Sequence, residues 1–348
     1  MSSLAPNRLL WLTFLLAACG HEAGDADRRA TATTLHPSDD VAARTLNDAR
    51  SLLLVKRDAE PIAARDQLVA TFGTAPDDAE AALLLARATF RLEEYPACAT
   101  ALDAYFVHEP KKPGEPSGPG ARPDWSAEAW VLRGWIRERA GDFAGALPHY
   151  EKALALIADY PWALLRRATA LGELGQISQP DQLDAAIRDC ERAIAVRPGL
   201  LEAHFLLSHL ARRAGRTADA EREATIHRLM NATSDNTSST PAADAEKIAA
   251  CEQLEKLLPG WIEGRVQRIQ LESAAGRFEP ALAAARRLAQ EQPQAPEAWP
   301  LLAELLRRVE GEEKARAELK ERLAKAPTIP KEARAILERI VADGFPRR

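Results

Sequence analysis

A recurrence at a spacing of about 34 residues constrains this chain more than any other feature. With Ala127 as position 1, Trp130 falls at 4, Gly134 at 8, Gly141 at 15, Phe143 at 17, Ala146 at 20, Tyr150 at 24 and Ala153 at 27. The same alternation of small and large residues returns at 79–110 (Ala86, Tyr95, Cys98, Leu102, Pro110). It returns at 161–198 (Ala168, Gly175, Ala186, Cys190, Ala193, Pro198), there with about six extra residues in the middle. Further copies occupy 201–230 (Ser208, Gly215, Ala220, Ala224), 262–293 (Gly276, Phe278, Ala281, Ala285, Pro293) and 296–327 (Trp299, Ala303, Ala315, Leu319, Pro327). A weaker one opens the series at 45–76 with Ala64, Leu68 and Pro76. A unit this short cannot bury its own apolar face, so neighbouring copies must stack.

The pattern closely resembles the tetratricopeptide repeat, over most of residues 45–342. The resemblance implies an all-α solenoid, a superhelix of helix pairs. Composition agrees: Ala, Leu, Glu and Arg dominate long stretches, and aromatic residues are 5% of the chain. A net charge of −5 with 28% charged residues offers no basic tract for nucleic acid.

Gly134 tests the reading, because glycine inside a helix costs about 1 kcal/mol relative to alanine. Trp130 and Gly134 lie four apart and share a helix face. The expectation is that Gly134 lets the two helices of its pair approach at Ala146 and Ala153, while Trp130 fills the wider end. Ala86, Ala168, Ser208 and Ala303 repeat the small residue in other copies.

The amino terminus reads differently. Arg8 precedes the apolar run "LLWLTFLLAA", which is too short to span a bilayer at roughly 20 residues. Its end, Leu16 to Cys19 ("LAAC"), resembles the lipobox of bacterial lipoproteins, whose cysteine thiol is the lipid acceptor. That resemblance implies a signal peptide over 1–18, lipid attachment at Cys19 and an envelope location. With Gly20 next, an outer-membrane destination is expected. Residues 19–37 read as a flexible tether, reaching roughly 25 Å.

Two stretches interrupt the repeats. Residues 109–124 hold five Pro and three Gly and cannot continue a helix. Residues 231–243, "NATSDNTSSTPAA", are polar and turn-forming. The expected segments are therefore 38–108, 125–230 and 244–342, with a tail at 343–348. Residues 244–259 resemble only the second helix of a pair, without an evident first, and "PKEARAILERIVADG" reads as a closing helix. Cys98, Cys190 and Cys251 lack metal-like spacing and read as small buried hydrophobes.

In the family, positions 2, 5, 9, 12 and 13 line the concave surface. Here they include Leu83, Val131 and Leu165 at position 5 and Arg87, Trp135, Thr169 and His209 at position 9. The resemblance thus implies a partner-binding groove built on Trp135, Arg139, Trp162, Phe205, His209, Arg212 and Arg213. Aromatic and arginine side chains dominate binding hot spots. The alternative for Trp135, Trp162 and Phe205 is packing against neighbouring repeats. The family's carboxylate-clamp positions hold Val131, Trp135, Leu165 and Thr169, so that activity is not implied.

No P-loop, dinucleotide fingerprint or nucleophile elbow occurs. The histidines are scattered, with His149 and His227 among polar residues and His204 and His209 five apart, so no metal or cofactor is expected. The chain is expected to be a non-catalytic, membrane-anchored scaffold for a protein partner. The other readings are a glycan or small-ligand binder and an accessory subunit of an envelope enzyme.

Overall fold

The computed structural model describes residues 37–54, 60–108, 124–175, 180–234, 240–326 and 328–345. The leader, Cys19, the tether through residue 36 and residues 109–123 lie outside the described residues. Sixteen helices and no strand occur among the described residues. They are α1 (Pro37–Leu54), α2 (Glu60–Phe72), α3 (Ala79–Arg91), α4 (Tyr95–His108), α5 (Asp124–Arg139) and α6 (Phe143–Leu156). Next come α7 (Pro161–Leu174), α8 (Pro180–Val196), α9 (Leu201–Arg213), α10 (Thr217–Ser234) and α11 (Pro241–Leu257). The last are α12 (Ile262–Ala274), α13 (Phe278–Glu291), α14 (Ala298–Glu310), α15 (Glu312–Lys325) and α16 (Lys331–Asp343).

The chain divides inside α13 into two compact units. In the first, α3 packs on α4, α5 on α6, α7 on α8 and α9 on α10. Each second helix then meets the first helix of the next pair, as α6 meets α7 and α8 meets α9. First helices also touch in succession, α3 with α5, α5 with α7 and α7 with α9. The fold is all-α, built of tetratricopeptide-type helix pairs stacked in sequence.

Local chemistry sets the pair boundaries. Asp142 caps α6 by accepting from the Gly145 amide at 2.8 Å, and Asp78 caps α3 from Ala81 at 2.8 Å. In three copies position 15 is a left-handed glycine in the turn: Gly141, Gly215 and Gly276 have φ of 79, 73 and 76°, whereas Gly175, at that position of 161–198, stays right-handed at −69°. At that position of 79–110 the chain holds Glu93 at φ 60° instead, the non-glycine left-handed residue among those described.

Gly134 is structural, by a contact other than the one expected. A Cβ there would lie 2.5 Å from Cε1 of Tyr150, so the tyrosine ring of α6, and not the alanines alone, occupies the space. Trp130 stands elsewhere, 4.2 Å from the Phe106 ring centroid and 5.7 Å from that of His149. The Tyr150 ring is fully buried and its hydroxyl donates to Glu138 at 2.7 Å, which leaves it no retreat. Gly134→Ala is therefore expected to lower stability by about 1–2 kcal/mol, overpacking outweighing the helix-propensity gain. Urea denaturation checks the sign, and a more stable variant would refute the contact.

Cys98, Cys190 and Cys251 are buried and unpaired thiols. Burial pushes Cys98 and Cys251 up to about 12, so neither is a nucleophile at neutral pH.

The helix that lacked a partner in the sequence is α11, which packs against α10 and α12. The polar stretch from 231 starts helical: α10 runs through Ser234, and the Thr233 and Ser234 hydroxyls donate back to the Met230 carbonyl at 2.9 and 3.0 Å. Thr240 then caps α11.

In the second unit, α14 packs on α15 and α15 on α16. Trp299 is buried there and donates to the Pro293 carbonyl at 2.9 Å. Arg286 holds Glu310 at 2.6 Å and Glu318 at 2.5 Å. The closing helix α16 buries Ala333, Leu337 and Ile340, and Arg316 donates to its terminal carbonyls at Val341 and Ala342.

Candidate functional site

The concave strip read from the sequence is only partly open. Position 5 faces the next copy and not a groove: Leu83, Val131 and Leu165 are 1, 4 and 1% exposed. Each is covered by the first helix of the following pair, Val131 by Ala163 and Ala170, and Leu165 by Ala203. Charged concave positions are also spent inside the stack. Arg87 on α3 grips Glu128 on α5 through two donors, with Nε at 2.6 Å, and Arg50 pairs with Glu80.

An open cleft of about 510 Å³ does exist where α5 meets α7. Trp135, Glu138 and Arg139 enter it from the last turns of α5, Phe143 from the start of α6, and Arg166, Thr169 and Glu173 from α7. The Arg166 guanidinium lies 4.3 Å over the Trp135 ring, and Phe90 tilts against that ring at 4.6 Å. Glu138 is the hub: it accepts Arg166 at 3.1 Å and the Tyr150 hydroxyl at 2.7 Å. Burial, then Glu138, pushes the Tyr150 hydroxyl above its ordinary range, so it stays a neutral donor.

What remains for a ligand is specific. Arg139 is exposed and makes no ion pair among the described residues. Nε of Arg166 is buried without a hydrogen-bond partner there. Thr169 donates to the Leu165 carbonyl at 3.0 Å, which leaves its oxygen able to accept. The cleft therefore suits an apolar side chain set against Phe143 and the Trp135 edge, with a carboxylate reaching Arg139. Trp135 spends its ring on Phe90 and Arg166, which leaves little for a stacked sugar.

The other predicted groove residues lie outside this cleft. Trp162 packs among Ala127, Val131 and Leu165, with the Arg197 guanidinium 5.7 Å from its ring. Arg213 is tied down, donating to the Gly172 carbonyl at 3.0 Å. Phe205 and His209 stand together, ring centroids 4.5 Å apart, beside exposed Arg212 on α9.

Sequence reasoning missed several contacts. His149 does not stand in solvent: it stacks on Trp130 at 15°, with Lys152 4.2 Å over the same ring. Burial, then Arg133, holds its pKa below the usual histidine range. His227 likewise lies 5.1 Å from the Phe205 ring. Arg166 falls at position 6, outside the family's concave set, and its tie to Trp135 crosses two copies. No group of three or more His, Cys, Asp or Glu is placed to hold a metal among the described residues, and no described helix is long and apolar enough to cross a membrane.

No family model and no curated protein matches the sequence. Solved structures with a similar helical arrangement include MamA, 15% identical over 58% of this chain and 99% of that one, with a TM-score of 0.40. A MamA RS-1 double mutant is 18% identical over 56% of this chain and 97% of that one, at 0.41. A human IFIT1 dimer with PPP-AAAA is 14% identical over 83% of this chain and 64% of that one, also at 0.41. At these values the likenesses transfer neither family nor function, and the fold rests on the chain's own helix pairs.

Proposed function

We infer that this chain is a lipid-anchored scaffold of the bacterial envelope that holds a segment of a partner protein in the α5–α7 cleft. The observation that carries the reading is Arg139, exposed and without an ion pair among the described residues, in the cleft that also holds the Trp135 and Phe143 rings, in a fold whose other concave arginines are largely spent on internal ties. Such an arginine forms bidentate pairs with carboxylates. The partner segment is one with an aliphatic or aromatic anchor and an adjacent acid. The work is holding and not turnover, because the cleft offers no nucleophile beside a base. Anchoring rests on the leader ending in Cys19, and Gly20 favours the outer membrane.

Two measurements test this. A photo-crosslinker at Thr169 in native membranes should capture one protein, and Arg139→Glu should reduce its yield about thirty-fold, the equivalent of a hot-spot loss of about 2 kcal/mol. Unchanged yield with an intact fold would remove the cleft from the mechanism. Separately, Cys19→Ala should move the protein from the membrane fraction to the soluble one, and retention would sink the anchor.

A further inference from the structure

Phe205 departs from the pattern of the three copies before it. At position 5 its counterparts Leu83, Val131 and Leu165 are covered by the first helix of the following pair, whereas Phe205 is 48% exposed. The sequence explains the difference. After α10 comes not a new pair but α11, which packs on α10 and α12. Among the described residues, no first helix covers the face of α9 that would receive one.

That face has an ordered chemistry. Glu202, Phe205, His209 and Arg212 fall at i, i+3, i+7 and i+10 of α9, a single stripe on a helix. All four are exposed. Neither Glu202 nor Arg212 forms an ion pair among the described residues. Read along the helix, the stripe runs acid, ring, ring, base. Turned end for end it runs base, ring, ring, acid, which is its own complement. An antiparallel second α9 thus sets Glu202 on Arg212 and Phe205 on His209, and then the same two contacts again by symmetry. Antiparallel helices also oppose their dipoles favourably.

We propose that α9 is the contact of a two-fold symmetric homodimer, the helix of a second copy taking the place of the absent first helix. A helix of 13 residues is about 20 Å long and buries less than a standard interface, so the pairing is weak and reversible. The Trp135 cleft lies on α5 to α7, so the two surfaces serve different partners.

The test uses two differently tagged copies of the full chain, co-expressed, crosslinked in membranes and co-purified. Wild-type copies should co-purify. Phe205→Glu should abolish pairing, and Glu202→Arg or Arg212→Glu, present in both copies, should lower it at least about ten-fold, since each places like charges together at both ends. The decisive arm combines Glu202→Arg in one copy with Arg212→Glu in the other. Antiparallel pairing then restores opposite charges at both ends, and recovery should return to within about two-fold of wild type. Because these side chains are exposed, the variants should melt like wild type. Failure of wild-type copies to pair overturns the proposal, as does failure of the mixed pair to recover. So does pairing that none of the substitutions weakens, which would place the contact on another face.

Discussion

Replacing Trp261 by alanine is expected to lower stability by about 3–5 kcal/mol, among the largest effects available to one substitution in this chain. The ring is 9% exposed and packs with Ile226, Leu229 and Met230 of α10 and with Leu254 of α11. Two glycines exist to admit it. A Cβ at Gly199 would lie 2.4 Å from Nε1 of Trp261, and one at Gly264 2.2 Å from its Cε3. The indole thus rests directly on the backbone before α9 and on the first turn of α12. It joins those two segments to α10 and α11, at the place where a helix pair is incomplete. Alanine leaves a cavity walled by backbone on two sides, which cannot collapse to fill it. In a stacked-repeat protein each joint contributes separately, so the loss should appear as earlier unfolding of α11 and α12 in hydrogen exchange, ahead of α3 to α8. Gly264→Ala should reproduce much of the effect by displacing the same ring. A Trp261→Ala shift worth less than about 1 kcal/mol would show that the ring is not the joint.

The contrast between Gly134 and Trp261 shows what a repeat pattern can and cannot carry. Positions 8, 15, 20 and 24 govern contacts inside a pair, and they recur because each pair solves the same packing problem. That Gly134 is structural, and that Gly141 recurs at one position of the frame, were legible for that reason; that the ring of Tyr150 fills the space over Gly134 was not. Trp261 stands just before position 1, where Tyr160 and Leu200 stand in other copies, and its role depends on which helices adjoin it. Nothing periodic announces that. The groove was harder still. Position 5 reads as concave in the family frame, yet its exposure depends on whether another first helix follows, so Leu165 is covered and Phe205 is not. Arg87 and Arg139 look alike in sequence. One is consumed by Glu128 of the next copy, while no such partner meets the other.

Removing the Arg268 guanidinium should cost about 3–5 kcal/mol, for an electrostatic reason and not a packing one. Glu272 on α12 has a side chain with 0% exposure, and Arg268, at 13%, donates to it at 3.2 Å. The same guanidinium holds Glu255 of α11 at 2.7 Å. Burial opposes the charge on Arg268, but Glu255 and Glu272 outweigh it and raise its pKa above the ordinary value. In Arg268→Leu the hydrophobic volume remains while Glu272 keeps a buried carboxylate with no cation, facing a second one on α11. Glu255 has a path to water; Glu272 has none. Its Oε2 already lacks a partner among the described residues, so there is no alternative donor at hand. The double variant Arg268→Leu, Glu272→Leu separates the two terms. Buried pairs seldom repay their desolvation, so removing both charges should restore stability to wild type or exceed it by about 1–4 kcal/mol. Guanidinium or urea midpoints for wild type, both singles and the double complete the cycle. A coupling near zero would mean that α11 and α12 are held by Trp261 and its apolar neighbours alone. A coupling of about 2 kcal/mol or more would mean that the ion pair selects the register in which those two helices meet.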